Sequence, residues 1–175
     1  MEDQTVNVAQ KRLAKRITQK LLRAYGEPRW RQPLPPLDEL ISTILSQNTN
    51  DNNRDRAFEA LRQRFPTWEA VRDAPLPDVI EAIRSAGLAQ QKAPRIQAVL
   101  RAITEQRGRL DLDFLREFDA AEALRWLRQF KGVGPKTAAI VLLFSLNKPA
   151  FPVDTHIHRV TRRLGLIPEA ASAEQ

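Results

Sequence analysis

Apolar side chains recur at every third or fourth position along almost the whole chain, and no segment keeps a strict period of two with the Val, Ile and Thr content of a strand. That pattern predicts an all-α protein. Leu13, Ile17, Leu21 and Tyr25 fall on one face of a first helix that ends at Gly26, ahead of a rigid crossing built on Pro28, Pro33, Pro35 and Pro36. A second helix is expected over about Leu37 to Gln47, burying Leu37, Leu40, Ile41, Ile44 and Leu45, before the polar stretch SQNTNDNN interrupts. A third follows through Ala57, Phe58, Leu61 and Phe65 and stops at Pro66. Short helices around Trp68–Arg72 and Pro77–Ser85 lead to Gly87 and Leu88.

A longer helix over about Ala93–Gln106 buries Ile96, Val99, Leu100 and Ile103, with Gly108 as its closing glycine. Asp119 and Glu122 have capping-box spacing at the start of the next helix, which runs to Phe130. The turn KGVGP follows, then an apolar helix from Lys136 to about Leu146, an extended piece through Pro149 and Pro152, and a last helix from Asp154 to Leu164. Pro168–Gln175 reads as a frayed end.

Charge narrows the class of partner. Across 175 residues, 28 Lys and Arg stand against 21 Asp and Glu, a formal +7 that favours polyanions. The chain contains no cysteine, which excludes a disulfide framework, a thiolate nucleophile, a sulfur-ligated zinc site and a cysteine-held iron–sulfur cluster within these residues. The N-terminal segment is amphipathic rather than a signal peptide, and the longest apolar run, Ala138–Phe144, falls far short of the ~20 residues of a membrane span. The expectation is a cytoplasmic protein, nucleoid-associated if its polyanion is DNA.

The sharpest local feature is helix, FKGVGPK, helix. Two glycines and a proline fix a tight turn, and the amides of Gly132 and Gly134 with the following helix N-terminus form a positive concavity suited to a backbone phosphate. Lys136 lies in the first turn of that second helix, where the positive end of the helix dipole disfavours a further positive charge. A neutral amine can attack a sugar carbon, whereas an ammonium has no lone pair; a phosphate contact is the simpler role for the same lysine. Asp154, eighteen residues on, has the form of an N-cap for the last helix. A carboxylate there is also suited to stabilising positive charge on a deoxyribose as its glycosidic bond breaks.

The segment KGVGPKTAAIVLLFSLNKPAFPVDTHIHRV resembles the helix-hairpin-helix, glycine/proline, aspartate motif of the endonuclease III-like DNA glycosylases. LSQNTND at Leu45–Asp51 and SAGLAQQKA at Ser85–Ala93 resemble segments of that family in the same order, so the likeness covers about Leu37–Leu166. The resemblance implies an all-α glycosylase fold and a bifunctional enzyme, in which Lys136 and Asp154 remove a damaged base and then cut the strand. It implies base flipping, a lysine Schiff base, β-elimination, oxidised pyrimidines as substrates and double-stranded DNA with damaged bases or abasic sites as the partner of a monomer. It makes Leu88 the apolar wedge and places the polar plug at Gln47 or Asn48, with the choice between them open. Lys131, Gly132, Val133, Gly134, Thr137 and His156 complete the expected DNA contacts. Asp51 is expected to cap the following helix, His158 to be exposed, and Trp30, Trp68 and Trp126 to pack rather than stack on bases. His156 and His158 flank Ile157, which puts them on different helix faces and argues against a joint metal site.

The same resemblance divides the chain into an N-terminal helix (1–30) belonging to a second helical domain, a six-helix barrel-like domain (37–147) with the hairpin at about 121–146, and the start of the second domain's C-terminal part (148–175). The family continues past this point, and many members carry four cysteines holding a [4Fe–4S] cluster; the likeness here is C-terminally short and lacks those cysteines, which leaves both a fragment of a longer chain and a cluster-free form open. That keeps a second reading open, a non-catalytic helix-hairpin-helix DNA-binding protein. Lys136 and Asp154 argue against it, since phosphate binding needs neither.

Overall fold

The structure is a computed structural model and describes residues 8–28 and 32–172. Among them there are nine α-helices and no strand. They fall into two compact units, which divide between Gln32 and Pro33 and between Pro152 and Val153.

The unit from Pro33 to Pro152 is built around α2 (Pro36–Ser46). Proline opens this helix, where a missing amide hydrogen costs nothing, and Asp38 and Glu39 sit against the positive end of its dipole. A single apolar stripe was expected; α2 is instead buried nearly all round, Glu39, Ser42 and Thr43 included. The reason is that α3 (Asp51–Arg64), α6 (Ala89–Arg107), α8 (Pro135–Ile140) and the π turn that prolongs α8 (Val141–Ser145) all pack on it.

The polar stretch after α2 resolves into caps. Asn50, not Asp51, caps α3 by accepting the Asn53 amide at 2.9 Å; Asp51 is the first helical residue and pairs with Arg54 at 2.9 Å. Thr67 caps α4 (Trp68–Asp73), and α5 (Leu76–Ala82) leads through a 3₁₀ turn (Arg84–Ala86) into α6. That helix starts four residues earlier than its apolar spacing suggests, directly after Leu88, and Pro94 is tolerated in its opening turns. Gly108, at φ +73°, closes it as expected.

Asp119 and Glu122 form the reciprocal capping box of α7 (Ala120–Arg128), with bonds of 2.7 and 3.0 Å. Trp126 lies between Phe114 and Phe130, with ring centroids 5.0 and 4.9 Å away, and the Trp68 indole donates to Asp38 at 2.7 Å. Both tryptophans pack; Trp30 lies outside the described residues.

The other unit contains α1 (Val8–Tyr25) and α9 (Thr155–Arg163), neither of which has a buried residue. Leu13, Ala14, Ile17 and Leu22 of α1 are half-buried, whereas Leu21 and Tyr25, expected on the same inward face, are exposed. Helix α9 ends in a Schellman motif: the Leu166 amide donates to Thr161 and the Gly165 amide to Arg162, with Gly165 at φ +68°. No described helix is long and apolar enough to cross a membrane.

Candidate functional site

The hairpin is made by α7, the turn Gln129–Gly134 and α8. Phe130 and Val133 turn inward and are almost fully buried, anchoring the loop in the core. Lys131, Gly134 and Lys136 are exposed as a consequence. The Val133 amide is bonded to the Phe130 carbonyl at 3.0 Å, while no acceptor among the described residues takes those of Gly132 and Gly134. This is the arrangement a phosphate cradle requires. Two expected contacts are corrected by it. Val133 is a core residue with a committed amide, and Thr137 is buried with Ala138 and Ala139 where α8 packs on α2. Lys136 stands in the exposed first turn of α8, one residue past Pro135.

Gly132 has a specific reason to be glycine. Its φ is +91°, and a Cβ there would run into the aliphatic stem of Arg95. Passing over Gly132, the Arg95 guanidinium donates to Gln47 Oε1 at 2.8 Å, and Gln47 Nε2 donates to the Gly132 carbonyl at 3.2 Å. The Gln47 side chain therefore joins the α2–α3 loop to the hairpin. Its neighbour Asn48 is exposed and left-handed at φ +52°. Of the two plug candidates, geometry leaves Asn48 as the one presented to solvent.

Leu88 is likewise presented: it is 47% exposed and left-handed at φ +50°, directly after Gly87 at φ +64°. Sequence reasoning missed the group beneath these two tips. Lys92 is 2% exposed, and its ammonium donates to the Leu45 carbonyl, Thr49 Oγ1 and the Ala86 carbonyl at 2.7, 2.8 and 2.8 Å. A signal existed, since Lys92 is in phase with the buried Ile96, Val99, Leu100 and Ile103 of α6. A lysine on a buried stripe must find acceptors or a counter-ion.

In the other unit, Asp154 is the N-cap of α9; its Oδ1 accepts the amides of His156 and Ile157 at 3.0 and 2.8 Å. Those bonds fix the orientation of the carboxylate. His156 is exposed, its Nδ1 3.0 Å from an Arg159 guanidinium nitrogen. His158 departs from expectation: it is half-buried and its Nε2 donates to the Ala171 carbonyl at 2.7 Å. No group of acidic, His or Cys residues able to hold a metal occurs among the described residues. A [4Fe–4S] cluster needs cysteine thiolates, and the sequence has none, so these residues do not fit one.

Comparison with known proteins matches this arrangement. The chain is 44% identical over 135 residues to a candidate DNA glycosylase of Arabidopsis thaliana, covering 77% of this chain and 46% of that protein. It is 38% identical over 140 residues to endonuclease III of Thermotoga maritima, covering 80% and 62%. The chain thus spans about half the length of these relatives. Among solved structures, a trapped covalent endonuclease III–DNA intermediate superposes with a TM-score of 0.75 at 28% identity, over 93% of this chain and 73% of that one. Residues 41–175 match the model of the HhH-GPD superfamily base excision DNA repair proteins, with the glycine hairpin and the aspartate cap both inside the match: the chain belongs to that superfamily.

Proposed function

We propose that the chain is a bifunctional DNA glycosylase and abasic-site lyase acting on damaged bases in double-stranded DNA, oxidised pyrimidines first among them. The observation that carries this reading is Lys136, exposed in the first turn of α8 beside the unclaimed amides of Gly132 and Gly134. An amine there can contact a phosphate as well as attack a sugar carbon, and the Asp154 carboxylate, which phosphate binding does not need, favours the second role. Trapping of endonuclease III as a covalent intermediate on DNA supports the same chemistry in a relative.

In the proposed reaction the target nucleotide leaves the stack, with Asn48 filling the gap and Leu88 parting the strands. The Lys136 amine attacks C1′, the glycosidic bond breaks, and its electron pair departs with the base, which takes up a proton. The attached nitrogen loses one proton, and opening of the C1′–O4′ bond, with the ring oxygen taking up a proton, gives a C1′ iminium. Removal of a C2′ proton then expels the 3′ phosphate by β-elimination, and water releases the lysine. Asp154 stabilises the positive charge at C1′ and carries protons. The amides of Gly132 and Gly134, with Lys131 and the surface around His156, hold the backbone in register without reading sequence.

The test is a panel of duplexes carrying oxidised pyrimidines, 8-oxoguanine, mismatches or a preformed abasic site, scored for base release and strand cleavage. Release of an oxidised pyrimidine with cleavage at the abasic site is expected. Cleavage without release of any base makes the chain a lyase alone, and salt-dependent binding with neither activity makes it a DNA-binding module.

A further inference from the structure

Two exposed tips, Asn48 and Leu88, sit on different loops, and each has a backbone near φ +50°. L side chains adopt that conformation rarely, and it persists only where surroundings hold it. The surroundings here converge on one buried cation. The Lys92 ammonium takes the Leu45 carbonyl in the last turn of α2 and the Thr49 hydroxyl immediately after Asn48, which bracket the first tip. Its third bond goes to the Ala86 carbonyl, two residues before Leu88. Thr49 closes the ring by donating its own hydroxyl to Ala86. Three N–H donors meet three oxygen acceptors, the full capacity of an ammonium.

We infer that Lys92 is a positioning residue, a cross-brace that fixes the spacing of Asn48 and Leu88 so that plug and wedge enter a duplex together. Its three partners are neutral oxygens, so the cation is held by hydrogen bonds to dipoles rather than by a counter-ion. Burial, and secondarily the Arg95 charge, lowers the ammonium from its ordinary 10.5 to about 8, which leaves it charged at neutral pH. A methionine at this position would fill the same space and join nothing. The Leu45 and Ala86 carbonyls would lose their shared partner, leaving the bond from Thr49 to Ala86 as the direct link between the residues flanking the two tips. The inference rests on the reading that this chain parts a duplex, but not on its covalent chemistry.

The experiment uses a duplex with a tetrahydrofuran abasic analogue, which has no aldehyde to react, and 2-aminopurine as the base opposite. Binding of the wild type is expected to raise 2-aminopurine fluorescence as that base is unstacked. Lys92→Met is expected to bind the duplex within about threefold of wild type, because the hairpin holds the phosphates, while losing most of the fluorescence rise. Cleavage of a true abasic site is expected to fall by about tenfold more in duplex than in single-stranded DNA, the scale of lost charge-assisted hydrogen bonds. A general loss of structure would lower both alike. Thr49→Val leaves two of the three Lys92 bonds in place and serves as the second variant, with a smaller loss in the same direction. Wild-type fluorescence in Lys92→Met or in Thr49→Val overturns the brace, as does an equal fall on duplex and single strand. A wild type that unstacks the base but never cleaves overturns the catalytic reading alone. One that leaves the base stacked overturns the brace, whatever it cleaves.

Discussion

The unit from Pro33 to Pro152 and the segments on either side of it hold their helices by different means. In the first, Leu40, Ile41, Ile44, Leu45, Ile96 and Leu100 have no exposed surface, and α2 is enclosed by three helices and a π turn. In the second, neither α1 nor α9 buries a residue; Leu21 is 51% and Tyr25 85% exposed. Helix α9 relies on its ends, an aspartate cap and a Schellman motif. Core packing therefore positions the hairpin and its lysine, whereas backbone hydrogen bonds orient the aspartate. Helix α9, of 9 residues, is short enough to be marginal on its own, so its two caps carry more of its stability than caps do in the enclosed unit.

This contrast sets the size of each mutational effect. Ile44→Ala, in the enclosed helix, is expected to cost about 2–5 kcal/mol of stability in chemical denaturation. Gly132→Ala combines a left-handed backbone with a collision against Arg95. It should cost about 1–3 kcal/mol and weaken duplex binding by releasing Gln47 from the hairpin. Asp154→Ala removes the α9 cap at a cost of about 1 kcal/mol, while Asp154→Asn keeps the cap. Base release by Asp154→Asn should nonetheless fall by about a hundredfold or more if the charge acts on the sugar. Equal base release by the aspartate and asparagine proteins would reduce Asp154 to a cap. Leu21→Ala, on the exposed side of α1, should stay within about 0.5 kcal/mol; a core-sized loss there would erase the distinction between the two regions.

A pH series sharpens the same contrast. The folded Lys92 titrates near 8 and the unfolded lysine near 10.5. Between those values the unfolded chain holds the extra proton, so this residue makes unfolding free energy rise with pH across that window. The rise should be absent from Lys92→Met measured alongside wild type.

The fold was largely legible because the spacing of Leu37, Leu40, Ile41, Ile44 and Leu45 allows no other element. The capping box at Asp119, the glycine stop at Gly108 and the cap at Asp154 were legible because each is made by neighbours in sequence. What escaped depends on residues far apart in the chain. Gln47, Arg95 and Gly132 form one network only after α6 packs beside the hairpin, and Lys92 finds its acceptors on two other segments. The motif places Val133 and Thr137 on DNA because they lie inside it, but a turn presents only part of itself, and its inward members anchor it. The start of α6 was missed because Leu88, held left-handed and without a side-chain cap, carries none of the usual helix-start signals.

Borohydride trapping on duplex DNA with a single abasic site tests the central claim most directly, since reduction converts an imine into a stable amine and reads the lysine itself. Wild-type protein should give a covalent protein–DNA adduct that is absent from Lys136→Ala. An adduct undiminished in Lys136→Ala would contradict the assignment of that amine as nucleophile.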